Sequence, residues 1–372
     1  MAPHPEPPRS RREFKIAIIC ALPLEAECVL AMFDKTWDRP LGKAKEDLNA
    51  YSLGVIARHN VVLAHMPGMG KVSATSVAAG VRLSFTSIEY AFVVGICGGV
   101  PFNGKREVIL GDVIVSQLLV QYDLGKQHPE GFETKTAAED SLSRPSQEIR
   151  SLLAKLNTSH HRTLMQQEIT THLLAIQKTL PETAYPGSES DRLYVASYLH
   201  KHRAVADNAP CVACESSPEH RCQDALKMRC KDLGCEESEL VQRDRLSKAK
   251  LSDMDSSDES PQLHIGRIGT ADTVLKSGTD RDRIASEHSL IAFEMEGAGV
   301  WDYFSNSLVI KGVCDYADSH KNKQWQDFAA AAAAACMKSF LREIGTPEDS
   351  YEYGEFIRSL QTSPQDQRQC AA

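Results

Sequence analysis

The sequence predicts an α/β fold in which a central, mostly parallel or mixed twisted sheet is covered by helices in three layers. Short runs rich in Val and Ile alternate along the chain with longer stretches of helical pattern. Strands that are buried on both faces read as such continuous apolar runs, and alternation of strand and helix is typical of layered α/β domains. The chain has 372 residues, of which 42% are hydrophobic. It is therefore long enough to bury one large core.

The predicted elements follow from these runs in chain order. Central strands are predicted at Lys15–Cys20, Asn60–His65, Tyr90–Val94, Asp112–Ser116, His264–Ile268 and Leu308–Val313. Helices are predicted at Pro23–Phe33, Lys71–Phe85, Gln147–Leu156, Met165–Thr179, Asp280–His288, Met295–Tyr303 and Gln324–Ile344. The last helix contains the uninterrupted alanine run Ala329–Ala335, and we expect this smooth face to pack closely on the sheet.

Composition divides the chain into one domain, an insertion and two tails. Residues 1–13 predict a disordered N-terminal tail, because their prolines and charges leave nothing to bury. Residues 14–345 form the predicted domain. Within it, residues 157–262 are a polar, cysteine-containing insertion, which we expect to include a flexible acidic stretch. Residues 346–372 predict a flexible C-terminal tail.

Charge and hydropathy exclude some classes of partner. The net charge of −8 and the pI of about 5.9 provide no basic field for a nucleic-acid polymer. The sequence contains no apolar stretch of the roughly 18 to 20 residues that would span a bilayer, and residues 1–12 contain no hydrophobic signal core. We therefore expect a cytoplasmic protein that binds neither nucleic acid nor membrane.

The eleven cysteines favour thiols in a reducing compartment over a disulfide framework. Cys211 and Cys214 have a metal-like CxxC spacing, and zinc needs four such ligands at tetrahedral reach. Further candidates follow at His220, Cys222, Cys230 and Cys235, but they include no matching second pair. We therefore predict a metal-free surface loop, with Cys211 and Cys214 as weak metal candidates. The alternative is a zinc-dependent interaction module on an enzyme core.

A carboxylate follows the predicted strand Leu308–Val313, and an acidic pair, Glu294 and Glu296, precedes that strand. In open α/β sheets, ligands bind beyond the carboxyl ends of the strands, which makes Asp315 a candidate acid. The two glutamates can reach one site only if their segment is the entrance of a helix, since adjacent residues inside a helix point about 100° apart. Otherwise they are helix N-terminal carboxylates that interact with the macrodipole.

A set of motifs follows along the chain at 14–25, 69–72, 94–100, 110–116 and 293–298, together with Asp315. In this order the motifs resemble those of the nucleoside phosphorylase and nucleosidase superfamily, of the purine nucleoside phosphorylase and uridine phosphorylase type. The closest likeness is to the methylthioadenosine/S-adenosylhomocysteine nucleosidases and related fungal domains. The resemblance covers most of the chain and implies a nucleoside phosphorylase-like fold.

The resemblance assigns catalytic and binding roles to individual residues. It implies that Asp315 protonates the purine as general acid and that Glu25 positions and deprotonates water. It also implies that Glu296 accepts hydrogen bonds from the ribose hydroxyls, which would place negative charge beside a cationic transition state. Met295 would pack on the sugar, and Glu294 is a less certain neighbour.

The segment 94–100 resembles the family's glycine-rich turn beneath the sugar, where Ile96, Cys97 and Gly98 would contact substrate. Glycines there permit a close approach of the backbone to a ligand. Covalent catalysis by Cys97 is disfavoured, because no activating His lies nearby in the sequence.

Hydrolysis is favoured over phosphorolysis by two positions. Phosphorylases of this superfamily have a phosphate-binding Arg where this chain has Val93, and Glu25 would repel phosphate. The rival interpretation is a phosphorylase whose phosphate site uses Lys71, His320 or Lys323. It remains open at this point.

The base and the 5′ substituent are also open. The purine-stacking Phe of the small nucleosidases corresponds to a position near Asp272 here. The cationic and aromatic segment 319–325 could meet a 5′-phosphate or be a solvated loop.

The predicted function is that of a purine nucleosidase, which hydrolyses the N-glycosidic bond of a purine nucleoside or nucleotide to the free base and ribose or ribose phosphate. The alternatives are a purine nucleoside phosphorylase and a non-catalytic nucleotide-sensing domain. The chemistry requires no cofactor. Because most members of this superfamily are oligomeric, the resemblance implies a homo-oligomer.

Overall fold

A computed structural model describes residues 6–38, 41–104, 106–135, 137, 140–203, 211–215, 222–251 and 260–345. Its strands are β1 Ile16–Cys20, β2 Lys35–Thr36, β3 Ala50–Ile56, β4 His59–His65, β5 Tyr90–Gly99, β6 Phe102–Asn103, β7 Arg106–Glu107, β8 Val113–Gln121, β9 Gly125–His128, β10 Gly131–Thr134, β11 Leu263–Thr270, β12 Leu290–Glu294 and β13 Ser307–Asp315. Its α-helices are α1 Pro23–Leu30, α2 Lys71–Ser84, α3 Gln147–Leu156, α4 Ser159–Thr179, α5 Val212–Glu215, α6 Cys230–Leu233, α7 Asp244–Leu251, α8 Gly278–His288, α9 Gly297–Trp301 and α10 Gln326–Glu343.

The main sheet has nine strands in the order β12-β11-β8-β13-β5-β1-β4-β3-β2. Parallel pairs join β4, β1, β5 and β13, and β8, β11 and β12, whereas β13 runs antiparallel to β8 and β3 runs antiparallel to β4. This confirms the predicted mixed sheet. The carboxyl ends of β1, β5 and β13 meet at one edge because these neighbours are parallel.

The strand β12 closes part of the sheet on itself. In addition to β11, it pairs antiparallel with the end of β5, where Ala292 lies opposite Gly99 and Phe293 opposite Gly98. Five strands, β5, β13, β8, β11 and β12, therefore form a closed ring. Strand β12 was not predicted from the sequence, because its four apolar residues run directly into Glu294, the first residue of the acidic pair that predicts a helix start.

Helices cover both faces of the sheet. The alanine run of α10 is buried, and a side chain at Gly312 of β13 would overlap the carbonyl of Ala329. The neighbouring Lys311 points to Glu296 beside α9. Since successive strand residues point to opposite faces, α10 and α9 lie on opposite sides of the sheet. The predicted close packing of the alanine helix is confirmed.

The insertion begins with a helix that belongs to the core. Helix α4 starts six residues before the predicted Met165, and its buried face packs beside α10. The first turns of α4 were not predicted because they are polar and exposed. A short 3-10 turn at Arg11–Glu13 lies in the segment that was predicted as the N-terminal tail. The acidic run 253–259 and the predicted tail 346–372 lie outside the described residues. No helix of the described residues is both long and apolar enough to cross a membrane.

A buried charge network holds the start of β8. Asp112 Oδ2 lies 2.5 Å from Arg245 Nη1 and 2.8 Å from His264 Nε2, and Oδ1 accepts from the backbone N–H of Gln262. Burial raises the pKa of Asp112, but His264 and Arg245 outweigh it and lower the pKa to about 2. The network therefore ties the end of the insertion to the central sheet.

Asp112→Asn is expected to lower the free energy of unfolding by about 2 to 3 kcal/mol at pH 7, given a pKa shift of about two units. Because the folded pKa lies below the ordinary value of 3.8, the stabilisation is present above about pH 4 and is lost as the pH falls towards 2. Urea unfolding at pH 7 and at pH 3 measures the effect, with exposed Asp302→Asn as the control. A loss that is equally large at both pH values would contradict this origin.

Candidate active site

A cavity of about 250 Å³ lies at the edge where β1, β5, β12 and β13 end. This is the edge at which open α/β sheets bind ligands. The structure brings all the catalytic and substrate-contact residues predicted from the sequence into its wall: Glu25, Ile96, Cys97, Gly98, Glu294, Met295, Glu296 and Asp315. Residues more than 280 positions apart in the chain thus share one site.

Glu25 lies in the first turn of α1 and is almost completely buried. Its Oε2 accepts from the backbone N–H groups of Ala21 and Leu22, both at 2.9 Å, and its Oε1 accepts from Ile96 N at 2.9 Å. These three bonds fix the carboxylate. Burial raises the pKa of Glu25, and the positive charge of Lys311 opposes the rise. A carboxylate with a raised pKa is the stronger base.

The glycine-rich segment was predicted to be a turn. It is instead the carboxyl end of strand β5. A side chain at Gly95 would overlap the carboxylate of Glu25, and one at Gly98 would lie 3.1 Å from Asp315 Oδ1. Both glycines are therefore needed so that the two acids can approach the strand. Both carboxylates line the same cavity.

Lys311, which pairs with the site residue Glu296, was not predicted from the sequence. It lies in the middle of β13, in a run read as apolar, and is 1% exposed. Its Nζ lies 2.8 Å from Glu296 Oε2, and the other oxygen of Glu296 accepts from Gly70 N at 3.4 Å. A buried lysine is costly unless it is paired. A single lysine within a strand that is covered on both faces therefore indicates a buried carboxylate partner, and this was the signal available in the sequence.

Glu294 accepts hydrogen bonds from backbone N–H groups at the start of helix α9. Its carboxylate accepts from the backbone N–H groups of Glu296 and Gly297 at 2.9 to 3.0 Å. Burial raises the pKa of Glu294, and Lys311 opposes this rise. The helix begins at Gly297, two residues later than predicted. Glu294 and Glu296 therefore lie before the helix, as they must if both are to reach one site. Contact of Glu294 with a ligand stays a prediction.

Asp315 is the last residue of β13 and is 5% exposed. Its Oδ1 accepts from Ala317 N at 2.8 Å, and its Oδ2 lies 3.1 Å from Lys321 Nζ. Ala317 has a φ of 51°, a left-handed conformation that costs energy for a residue with a side chain. Burial lowers the pKa of Lys321, but Asp315 outweighs this and raises it overall. Lys321 therefore places a positive charge beside the candidate acid.

Two of the three residues proposed for a phosphate site, Lys71 and His320, make other contacts. Lys71 Nζ is 2.6 Å from Asp123 Oδ1, and Lys71 N donates to Asp272 Oδ1 at 2.7 Å. His320 is buried and stacks on Tyr194 with ring centroids 4.1 Å apart. Burial lowers the pKa of His320 to about 3, so its ring is neutral at pH 7.

The remaining candidates have simple environments. Cys97 is buried, which raises the pKa of its thiol and keeps it protonated. The position corresponding to the purine-stacking residue, Asp272, is bound to the start of α2. The apolar wall of the cavity comes instead from Val274, Leu275 and Phe293.

A second cavity of about 1180 Å³ adjoins the first, and we call it the basic groove. Both are lined by Lys276, Cys314, Asp315, Lys321 and Gln326. The charged residues along the basic groove are Arg192, Lys227, Arg229, Lys231, Lys276, Lys321 and Lys323, against Glu237, Asp315 and Asp318. Among the described residues, Lys227, Lys231, Lys276 and Lys323 have no ion-pair partner. A groove with this excess of cations suits a phosphorylated ligand.

Comparison with known families and curated proteins gives two matches. Residues 15–172 match the family described as the Phosphorylase superfamily. A nucleotide-binding leucine-rich repeat (NLR)-like protein of Hyaloscypha variabilis is 32% identical over 345 residues, which cover 90% of this chain and 30% of that protein. The chain thus spans less than a third of the length of this curated relative.

Solved structures with the same fold include nucleosidases and a hydrolase. The 5′-methylthioadenosine/S-adenosylhomocysteine nucleosidase of Neisseria meningitidis, in complex with methylthio-immucillin-A, is 14% identical with a TM-score of 0.51 and covers 89% of this chain and 99% of its own. Futalosine hydrolase of Helicobacter pylori is 18% identical with a TM-score of 0.50 and covers 90% and 100%. At these identities the likeness concerns the fold.

Proposed function

We propose that this phosphorylase-superfamily chain hydrolyses the N-glycosidic bond of a purine nucleotide, with Asp315 as acid, Glu25 as base and Glu296 on the ribose. The observation that carries the proposal is the pair of carboxylates, Glu25 and Asp315. Glu25 accepts from three backbone N–H groups and Asp315 from one, and both line one cavity. A third carboxylate of the same wall, Glu296, is paired with the buried Lys311.

The geometry supports a hydrolytic sequence of proton transfers. Glu25 takes a proton from water as the water oxygen forms a bond to the anomeric carbon of the sugar. The bond from that carbon to the base breaks, its electron pair stays on the base, and Asp315 supplies the proton that neutralises the base. Negative charge from Glu296 and Glu294 favours the cationic sugar of the transition state. The positive charge of Lys311 offsets the repulsion between these buried carboxylates.

Water rather than phosphate is supported as the nucleophile. Glu25 and Glu296 line the cavity, and their negative charges would repel a phosphate ion there. Lys71 is bound to Asp123, and His320 is neutral. Of the three residues considered for a phosphate site, Lys323 alone lies in the basic groove with its charge available.

A nucleotide rather than a nucleoside is supported by the basic groove. The groove is continuous with the cavity at Asp315 and Lys321, so that one ligand could extend from the cavity into the groove. Phosphate oxygens would meet the lysines there, and several lysines together suit a di- or triphosphate better than a single phosphate. Function in the cytoplasm, where such nucleotides occur, is part of this proposal, and a homo-oligomer stays a prediction.

The test is free-base release from adenosine, guanosine, inosine, methylthioadenosine, AMP and ATP, with and without phosphate. We expect release that does not depend on phosphate and a higher kcat/KM for the nucleotides. Lys323→Gln should raise KM for ATP by about two- to fivefold, as expected for one exposed charge, and leave KM for adenosine unchanged. Exposed Lys126→Gln on β9 is the matched control.

Three results would contradict the proposal. Release only in the presence of phosphate would establish a phosphorylase. An equal KM change for ATP and adenosine in Lys323→Gln would remove the nucleotide assignment. Tight ATP binding without release of base from any of the six compounds would establish a nucleotide-sensing domain.

A further inference from the structure

The described histidines and cysteines between His200 and Cys235 form two clusters, and the candidate His220 lies outside the described residues. His202, Cys211, Cys214 and Cys222 form the first, and His200, Cys230 and Cys235 form the second. Within each cluster, one potential ligand atom per residue lies within 4.8 Å of all the others. We call these the four-ligand cluster and the three-ligand cluster.

The four-ligand cluster has the dimensions of a zinc site. His202 Nδ1 lies 3.3 Å from Cys214 Sγ and 3.7 Å from Cys222 Sγ, and the sulfurs of Cys211 and Cys222 are 4.0 Å apart. Zn–S bonds of about 2.3 Å and Zn–N bonds of about 2.0 Å place tetrahedral ligands roughly 3.5 to 3.8 Å from one another. A disulfide would require sulfurs about 2.05 Å apart, so the observed spacing is that of metal ligands.

The described part of the segment has a small apolar core. Within residues 200–203, 211–212, 214 and 222–235, the buried residues are Cys214, Ala225 and Leu233. So small a core contributes little against the conformational entropy that is lost when the chain is ordered. A metal ion bound by four side chains would add stabilisation.

We propose that the four-ligand cluster binds a structural zinc ion and that the three-ligand cluster binds a second zinc ion. The first site, with three thiolates and one imidazole, is closed in the manner of structural zinc. Cys211 and Cys214 were candidates from the sequence, whereas His202, which precedes the CxxC pair by nine residues, was not. The metal-free interpretation of this segment is replaced by this proposal.

The second site rests on an independent observation. His200 Nδ1 lies 3.7 Å from Cys230 Sγ and 3.8 Å from Cys235 Sγ, and the other ring nitrogen of His200 is 3.0 Å from the carbonyl of Met228. A backbone carbonyl that accepts from Nε2 leaves Nδ1 unprotonated and aimed at a metal, as is usual for histidine ligands. With three protein ligands, a fourth position is left for water.

Both sites would position part of the basic groove. Lys227, Arg229 and Lys231 lie between the cysteine ligands Cys222 and Cys235 and line the groove. The backbone N–H of His200 donates to Ser319 Oγ at 3.1 Å, two residues before Lys321. This consequence rests on the proposed function, whereas zinc binding itself does not.

The experiment is the metal content of the purified full chain after exhaustive dialysis, measured by plasma mass spectrometry. We expect about two zinc ions per chain, about one in Cys214→Ser, about one in Cys230→Ser and none in the double variant. Cys336→Ala, which changes a buried cysteine of α10 outside both clusters, is the matched control and should keep both ions.

Cobalt titration of the chelator-treated wild-type protein provides a readout that does not depend on variants that fold poorly. Intense visible bands of tetrahedral Co²⁺ and a thiolate-to-cobalt charge-transfer band are expected, and zinc should displace both. Absence of stoichiometric zinc together with absence of these bands would overturn the proposal. One zinc that is lost in Cys214→Ser but kept in Cys230→Ser would overturn the second site alone. Neither outcome depends on turnover, so the failure of this proposal and of the nucleosidase proposal can be told apart.

Discussion

Asp315→Asn is expected to lower kcat/KM for an unactivated purine nucleotide by about 100- to 10,000-fold, the usual contribution of a general acid. Asparagine can still accept the hydrogen bond from Ala317 N, but it has no proton to transfer and no charge to pair with Lys321. The loss should fall on kcat rather than KM, because the proton is needed only as the bond to the base breaks. Steady-state kinetics on the best substrate of the panel measures it.

Two comparisons separate an acid from a structural carboxylate. A nitrophenyl riboside, whose leaving group departs without protonation, should be cleaved by Asp315→Asn nearly as fast as by the wild type. Asp318→Asn is the matched control, since Asp318 is also buried after β13 but accepts from His320 N. Burial raises the pKa of Asp318 to about 6, which makes it the rival acid. An equal loss in both variants, or no recovery with the activated substrate, would contradict the role of Asp315.

Where strands and helices lie could be predicted because the signals are local. The runs that became β1, β4 and β13 are continuous stretches of branched apolar residues, and α3 has the bounds that its amphipathic pattern predicts. Strand β12 could not be predicted from such a pattern. Its place is fixed by pairing with the side-chain-free end of β5 at Gly98 and Gly99, a contact between segments almost 200 residues apart.

The residues of the site likewise differ in whether the sequence predicts them. Glu25, Glu296 and Asp315 follow recognisable motifs, so their convergence was predicted from the resemblance. Lys311 has no motif, because its role comes from burial beside Glu296 across a fold that the sequence does not display. The zinc ligands are a third case. Each histidine is unremarkable alone, and only the fold brings His200 and His202 to different sets of cysteines.

Lys311→Met should have the second large effect, on both stability and pH dependence. Removing one partner of a buried ion pair is expected to cost about 3 to 5 kcal/mol of unfolding free energy, because Glu296 would stay buried without its cation. Lys311 also lowers the pKa values of Glu25 and Glu294, which burial raises. Without this cation both pKa values rise further.

The sign of the activity change follows from the proposed role of Glu25 as a base. A base must be deprotonated, so kcat/KM falls tenfold for each pH unit below its pKa. If the pKa rises in Lys311→Met, the acidic limb of the profile moves to higher pH, and activity at pH 7 falls more than activity at pH 9. Profiles from pH 5 to 9 and urea unfolding measure the two effects.

Lys311→Arg is the matched control because it keeps the charge in the same strand. It should keep the acidic limb within a few tenths of a unit of the wild-type position, even if the larger guanidinium reduces stability. A uniform loss of activity across the pH range in Lys311→Met, with an unmoved limb, would show that Lys311 only supports the fold. A moved limb in Lys311→Met and an unmoved one in Lys311→Arg would instead tie the basicity of Glu25 to the buried charge beside it.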